Sequence, residues 1–142
     1  MRVEGEEDQM NGIALAIGAF FGTITRYGIG VWMEPVSSGF PYATLLVNLS
    51  GCLFLGWFFT LALAGSKISV AVQTGIGVGF TGSFTTFSTF SLETISLIEQ
   101  NQLGLAVVYV LLSTGGGVLL AAVGYGIAKL QVKNRKRKRE AI

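Results

Sequence analysis

The sequence predicts an all-α membrane protein with four transmembrane helices and a break in the third. Three observations carry that expectation. Hydrophobic residues make up 51% of the 142-residue chain and charged residues 13%. With a mean hydropathy of +0.61, this is more apolar surface than a water-soluble domain of such length can hide. Charge gathers at the ends, with an acidic cluster at Glu4, Glu6, Glu7 and Asp8 and seven cations from Lys129 to Arg139. Between them lie four stretches long enough to cross a hydrocarbon core of about 30 Å as helices. The chain reads as one integral membrane domain, residues 1–142.

The first span, about residues 12–33, follows acids rather than the basic n-region of a cleaved signal, so it is expected to stay in the membrane. Gly18 and Gly22 are four apart, a spacing that lets helices approach closely. Arg26 lies more than halfway along the span. It is either an anchor that snorkels to the interface or a fixed positive charge that concentrates anions in an aqueous vestibule. A link at 34–39, with Pro35 inside it and Pro41 just beyond, leads to the second span at about 40–64. There Thr44 and Asn48 are one turn apart, and an amide at that depth needs a hydrogen-bond partner. Cys52 reads as a small apolar filler.

A short link at 65–68 precedes the third span, about 69–98, which is longer than an untilted crossing requires. Its glycines Gly75 and Gly79 repeat the four-residue spacing. The stretch GFTGSFTTFSTFS at 79–91 holds seven hydroxyl side chains, four phenylalanines and two glycines in thirteen positions. Gly79 and Gly82 weaken the helix just ahead of a run of Ser and Thr. Either the chain unwinds near Gly82 to Thr86 and frees carbonyls for a hard monovalent cation, or the helix continues with its hydroxyls bonded to the preceding turn. Phe84, Phe87 and Phe90 form a slowly turning stripe flanked by Thr85, Thr86, Ser88 and Thr89. Such a stripe is a lipid-facing or packing surface, or it lines a narrow pore whose positive ring edges and hydroxyls replace the water shell of a small anion.

A link at 99–102 and a fourth span at about 103–128 complete the bundle. Tyr109 and Ser113 share a face, followed by Gly115, Gly116 and Gly117. Like Asn48 and Thr44, they serve helix-to-helix hydrogen bonds or an ion path. The tail at 129–142 reads as a solvated, topology-setting segment. Its charge also suits anionic lipid or nucleic acid, though no nucleic acid is expected as a partner. Four spans put both termini and the second link on one side, with Arg2, Lys67 and the tail cations. The other links carry Glu34 and Glu99 and no Lys or Arg, so the termini are expected in the cytoplasm of a multi-pass cell-membrane protein. With no histidine and one cysteine, the usual zinc, haem and triad chemistries have little to use, and no enzyme activity is expected.

The stretches GAFFGTITRY (18–27), TLLVNLSG (44–51) and GFTGSFTTFSTFSLE (79–93), with Tyr109 and Ser113, resemble the Fluc, or CrcB, fluoride channels. The resemblance covers all four spans. It implies a four-helix subunit that pairs antiparallel into a dimer with two narrow fluoride pores. Phe87 and Phe90 would face the pore together with Asn48. Thr86 would be among its hydroxyls, and Tyr109 and Ser113 would form a polar track with Thr44 nearby. A structural sodium ion at the dimer axis would be held by the main-chain carbonyls of Gly82 and Thr85 from each subunit. Arg26 matches the family's first-helix arginine, and Glu93 its glutamate after the phenylalanines. Where the family has two consecutive glycines at the break, this chain has Gly82 and Ser83. Its charge bias is also stronger than expected of a chain that inserts both ways up. The second subunit is therefore this same chain or a paralogous one of opposite orientation.

The resemblance implies passive, fluoride-selective conduction that lowers cytoplasmic fluoride. A small multidrug-type dual-topology transporter has similar size but needs an acid in the first span, and residues 12–33 contain none. A non-conducting membrane scaffold whose basic tail recruits lipid or a soluble partner is the other alternative.

Overall fold

A computed structural model describes residues 2–36, 39–64 and 68–140, and all regular elements among them are helical. Helix α1 runs Arg2–Met33 and so starts well before the expected span. The acids at its beginning suit the positive end of the helix dipole. After a 3-10 turn at Glu34–Val36, Gly39 takes φ 90°, a left-handed value that glycine adopts without strain. Pro41 then caps α2, Tyr42–Leu63, at a position where its missing N–H costs no helical bond. Lys67 and most of the second link lie outside the described residues.

The third region is divided. It consists of α3 (Val70–Val72), a π-helical segment (Gln73–Phe80), α4 (Thr81–Phe84) and α5 (Phe87–Glu99). Thr85 (φ −78°, ψ 157°) and Thr86 (φ −148°, ψ 122°) are extended. The helix therefore breaks at Thr85–Thr86, the late edge of the interval 82–86, and the uninterrupted helix is ruled out. The π segment was not expected from the sequence. Its wider turn is locked at the end, where the Thr81 main-chain N–H reaches the Ile76 carbonyl and the Thr81 hydroxyl donates to the same oxygen at 3.0 Å. Three helical stretches are long and apolar enough to cross a membrane: Gly5–Met33, Tyr42–Leu63 and Leu103–Arg135. No single piece of the third region does so, because the break and the change of helix type divide it.

A Schellman turn joins α5 to α6. Asn101 adopts φ 58°, Gln102 N–H donates to Leu97 O at 2.8 Å, and Asn101 N–H donates to Ile98 O at 3.0 Å. Helix α6 then runs Leu103–Glu140, passing residue 128 without interruption. Lys, Arg and Gln are good helix formers, and cations favour the negative end of the dipole. At 38 residues it is about 57 Å long, nearly twice the hydrocarbon thickness.

The glycine pairs explain the packing. Gly18 and Gly22 of α1 lie against the carbonyls of Gly75 and Phe80. In return, a methyl on Gly79 would sit 2.5 Å from Leu15 O, and one on Gly75 would sit 2.9 Å from Ala14 O. Backbone meets backbone, which only glycine permits here. Along this seam residue numbers rise together, so α1 and the π segment run parallel. Helices α2 and α6 do the same: Leu49 meets Gly116, Gly56 meets Ala121 O, and Trp57 N lies 2.8 Å from where a Gly124 methyl would be. A small core of Leu97, Ala106 and Tyr109, with Phe40, Leu45 and Phe90 packed on it, ties α5 to α6. Elsewhere large apolar side chains face outward, Trp32 at 76% and Leu63 at 85% exposure among them, as a surface solvated by hydrocarbon requires.

Candidate functional site

The break at Thr85–Thr86 strips main-chain groups of their helical partners, and side chains from two other helices replace them. Asn48 of α2 clasps Thr86: its Nδ2 donates to Thr86 O at 3.0 Å, and Thr86 N–H donates to Asn48 Oδ1 at 2.8 Å. One amide thereby satisfies both polar groups of an extended residue, and the extended residue satisfies the amide. From α1, Arg26 Nε donates to Ser83 O at 3.0 Å. Thr86 also caps α5. Its hydroxyl oxygen accepts Thr89 N–H at 3.2 Å while its proton goes to Thr89 Oγ1 at 2.9 Å.

The carbonyls of Gly82, Ser83, Phe84 and Thr85 lose their helical donors at this break, and Arg26 takes up that of Ser83. In an unbroken helix Gly82 O would accept Thr86 N–H and Thr85 O would accept Thr89 N–H. Here the first donor is diverted to Asn48 and the second to the Thr86 hydroxyl. Gly82 is exposed, and a methyl there would meet nothing within 4 Å. Oxygen dipoles of this kind suit a hard cation. Among the described residues no cluster of His, Cys, Asp and Glu offers an alternative metal site.

A second cluster lies one to two turns further along α5. Glu93 accepts Thr44 Oγ1–H on Oε1 at 2.8 Å and Tyr109 O–H on Oε2 at 2.7 Å, joining α2, α5 and α6. Tyr109 is completely buried. Its ring packs 5.1 Å from Phe90 and edge-on 5.6 Å from Phe40. Phe90 in turn lies 5.9 Å from Phe87, so Phe87, Phe90 and Tyr109 form a column of rings. Phe87 is 79% exposed and turns away from its own chain. One turn beyond Tyr109, the Ser113 hydroxyl oxygen is buried without a hydrogen-bond partner. An open cleft of about 860 Å³, lined by Arg26, Thr44, Thr86, Thr89 and Glu93 among others, reaches the break and the carboxylate from one end of the bundle.

Most residues singled out from the sequence therefore meet, in two sets. Asn48, Thr86 and Arg26 converge on the break; Thr44 and Tyr109 converge on Glu93, with Phe90 packed on Tyr109. Ser113 joins neither by a hydrogen bond, and Gly82 and Phe87 face outward. Arg26 does line the cleft, but it also bonds the break, a role its position alone did not reveal. Glu93 is matched from the sequence only to the family's glutamate after the phenylalanines, with no partner assigned; the structure puts Thr44 and Tyr109 on its two oxygens. The available signal was the spacing of three that continues the stripe of Phe87 and Phe90 to position 93.

The family model described as CrcB-like protein, Camphor Resistance (CrcB), matches residues 13–125. The fluoride-specific ion channel FluC of Synechococcus sp. (strain JA-2-3B'a(2-13)) is 43% identical over 118 residues, covering 82% of this chain and 91% of its own. FluC 1 of Bacillus cereus (strain ATCC 14579) is 41% identical over 122 residues, covering 85% of each. FluC 1 of Desulfitobacterium hafniense (strain Y51) is 44% identical over 109 residues, covering 77% of this chain and 95% of its own.

Proposed function

As a chain that belongs to the CrcB family, the protein is, we propose, a fluoride-selective ion channel subunit that passively exports cytoplasmic fluoride and so lowers its toxicity. The observation that carries this reading is the ring column Phe87–Phe90–Tyr109 beside an unpartnered buried hydroxyl at Ser113, in a chain over 40% identical to proteins named fluoride-specific ion channels. The two alternatives raised by the sequence are not favoured by these relatives.

The hydrogen-bond pattern supports a particular division of labour along the path. Thr44 and Tyr109 both commit their protons to Glu93, so neither donates to an anion while the carboxylate is charged. Donors still available to fluoride include the Ser113 hydroxyl and the second N–H of Asn48 Nδ2, whose first is used on Thr86. Edges of the Phe87 and Phe90 rings add a weak positive lining without a counter-charge that would trap the ion. Arg26, at the cleft, raises the local anion concentration at the entrance. Selectivity against chloride follows from width and from donors spaced for the smaller ion.

The outward-facing Phe87 and Gly82 support a second subunit against this face, and the resemblance to the family implies that it is antiparallel. That subunit completes the lining and is this chain or a paralogous one. In this reading the broken third region is the fourth crossing, the whole chain is one channel subunit in the cell membrane, and both termini are cytoplasmic. The released carbonyls of Gly82 and Thr85 fit a sodium ion at the dimer axis. Those main-chain oxygens would hold the ion, which would supply positive charge to offset their dipoles in a structural rather than a transported role. The test is fluoride efflux from liposomes carrying Phe87→Ile or Phe90→Ile. Reduced flux with intact assembly is expected, and unchanged flux in both variants would overturn the ring-lined path.

A further inference from the structure

The helical extension of α6 carries a feature that the fluoride path does not use and that lies beyond the matched stretch, which ends at residue 125. Gly117, Gly124 and Ala128 are buried, and Gln131 accepts the Trp57 indole N–H at 3.2 Å, so this stripe faces α2. Lys129 and Lys133, one turn apart, lie about 100–140° round the helix from Ala128 and point away from the bundle, both exposed. With Gly126 and Leu130 they line a shallow surface cavity of about 460 Å³. Its floor is apolar and its charge is at the rim. Lys129 Nζ stands over the Tyr125 ring at 4.9 Å, an aromatic near the end of the span expected from the sequence. No Asp or Glu occurs between Leu103 and Arg139, so no carboxylate on this helix before Glu140 neutralises the pair.

We propose that this cavity is a binding site for an anionic phospholipid, with the headgroup phosphate between the ammonium groups of Lys129 and Lys133 and the first acyl segment along Gly126 and Leu130. The occupant follows from the setting. The patch continues from a membrane-length helix, its open side points away from α2, and two ammonium groups with no carboxylate nearby on this helix match a phosphate diester with net negative charge. Nucleic acid would meet the charge but not the apolar floor. Arg137 extends the same stripe by another turn, whereas Arg135 lies on a different face.

The experiment is native mass spectrometry of the full chain in a neutral detergent, titrated with phosphatidylglycerol or with phosphatidylcholine of the same acyl chains. Wild type is expected to retain phosphatidylglycerol over phosphatidylcholine, and K133Q to lower that preference about fivefold. R135Q, which removes the same charge from another face, is expected to leave the preference unchanged, and K129Q/K133Q to abolish it. Fluoride efflux from phosphatidylcholine liposomes is expected to stay at the wild-type level in K129Q/K133Q, separating the site from the conduction path. Equal retention of the two lipids by wild type, or equal losses in K133Q and R135Q, would overturn the site. So would short RNA binding that outcompetes phosphatidylglycerol and depends on the same lysines.

Discussion

Replacing Asn48 with leucine tests the clasp that holds the helix break. The substitution removes the acceptor of Thr86 N–H, which has no helical partner while Thr85 and Thr86 stay extended, and the Asn48 donor to Thr86 O, which as the cap carbonyl of α5 keeps its first intrahelical bond. An orphaned polar group costs about 1–3 kcal/mol, so N48L is expected to lose about 1–3 kcal/mol of stability through Thr86 N–H. Asn48→Asp separates the two bonds. It keeps an acceptor for Thr86 N–H but sets a second oxygen against Thr86 O and adds negative charge to the proposed anion path. Its stability is expected to fall between wild type and N48L, with conduction lost. The assays are unfolding of the detergent-solubilised chain and fluoride efflux from liposomes, run on the same preparations. An N48L protein within about 0.5 kcal/mol of wild type with normal efflux would refute the reasoning, because the break would then stand without the amide.

Gly124→Val places a branched side chain against the Leu53 carbonyl and the Trp57 nitrogen and is expected to prevent α2–α6 packing. Gly126→Ala, with nothing within 4 Å, is expected to be neutral; size-exclusion profiles compare the two. Glu93→Ala leaves the Thr44 and Tyr109 hydroxyls without their acceptor, a loss of about 2–6 kcal/mol, whereas Glu93→Gln retains one acceptor oxygen and is expected to lose less in the same unfolding assay. Exchanging sodium for N-methylglucamine on both sides of the membrane is expected to reduce fluoride efflux, with no movement of tracer sodium in the control. Full efflux in sodium-free buffer would count against a structural ion at Gly82 and Thr85.

The helical class and the three long apolar helices were legible because bilayer thickness imposes a length that composition reveals directly. The spacing of Gly18 with Gly22 and of Gly75 with Gly79 likewise announced the α1 seam, since a missing Cβ has one main use between membrane helices. The break was legible to within a few residues from Gly82 and the hydroxyl run. Its placement at Thr85–Thr86 depends on Asn48 and Arg26, which lie 38 and 57–60 positions away in sequence, and local propensity carries no trace of such partners. Glu93 was obscured for the same reason. A carboxylate near a span end looks solvated until Thr44 and Tyr109 are found on its two oxygens. The π segment has no sequence rule behind it beyond three alternate glycines, which fit several conformations.

The central claim is a passive, fluoride-selective path past Phe87 and Phe90, and fluoride release from liposomes tests it most directly. Purified chain is reconstituted alone and with an oppositely oriented paralogue, and release is read with a fluoride electrode beside a chloride control. The account predicts fast fluoride release down its gradient in at least one of the two preparations, negligible chloride release, and loss of the fluoride signal with Phe90→Ile. Absence of fluoride release in both preparations, or chloride release at a comparable rate, would contradict it.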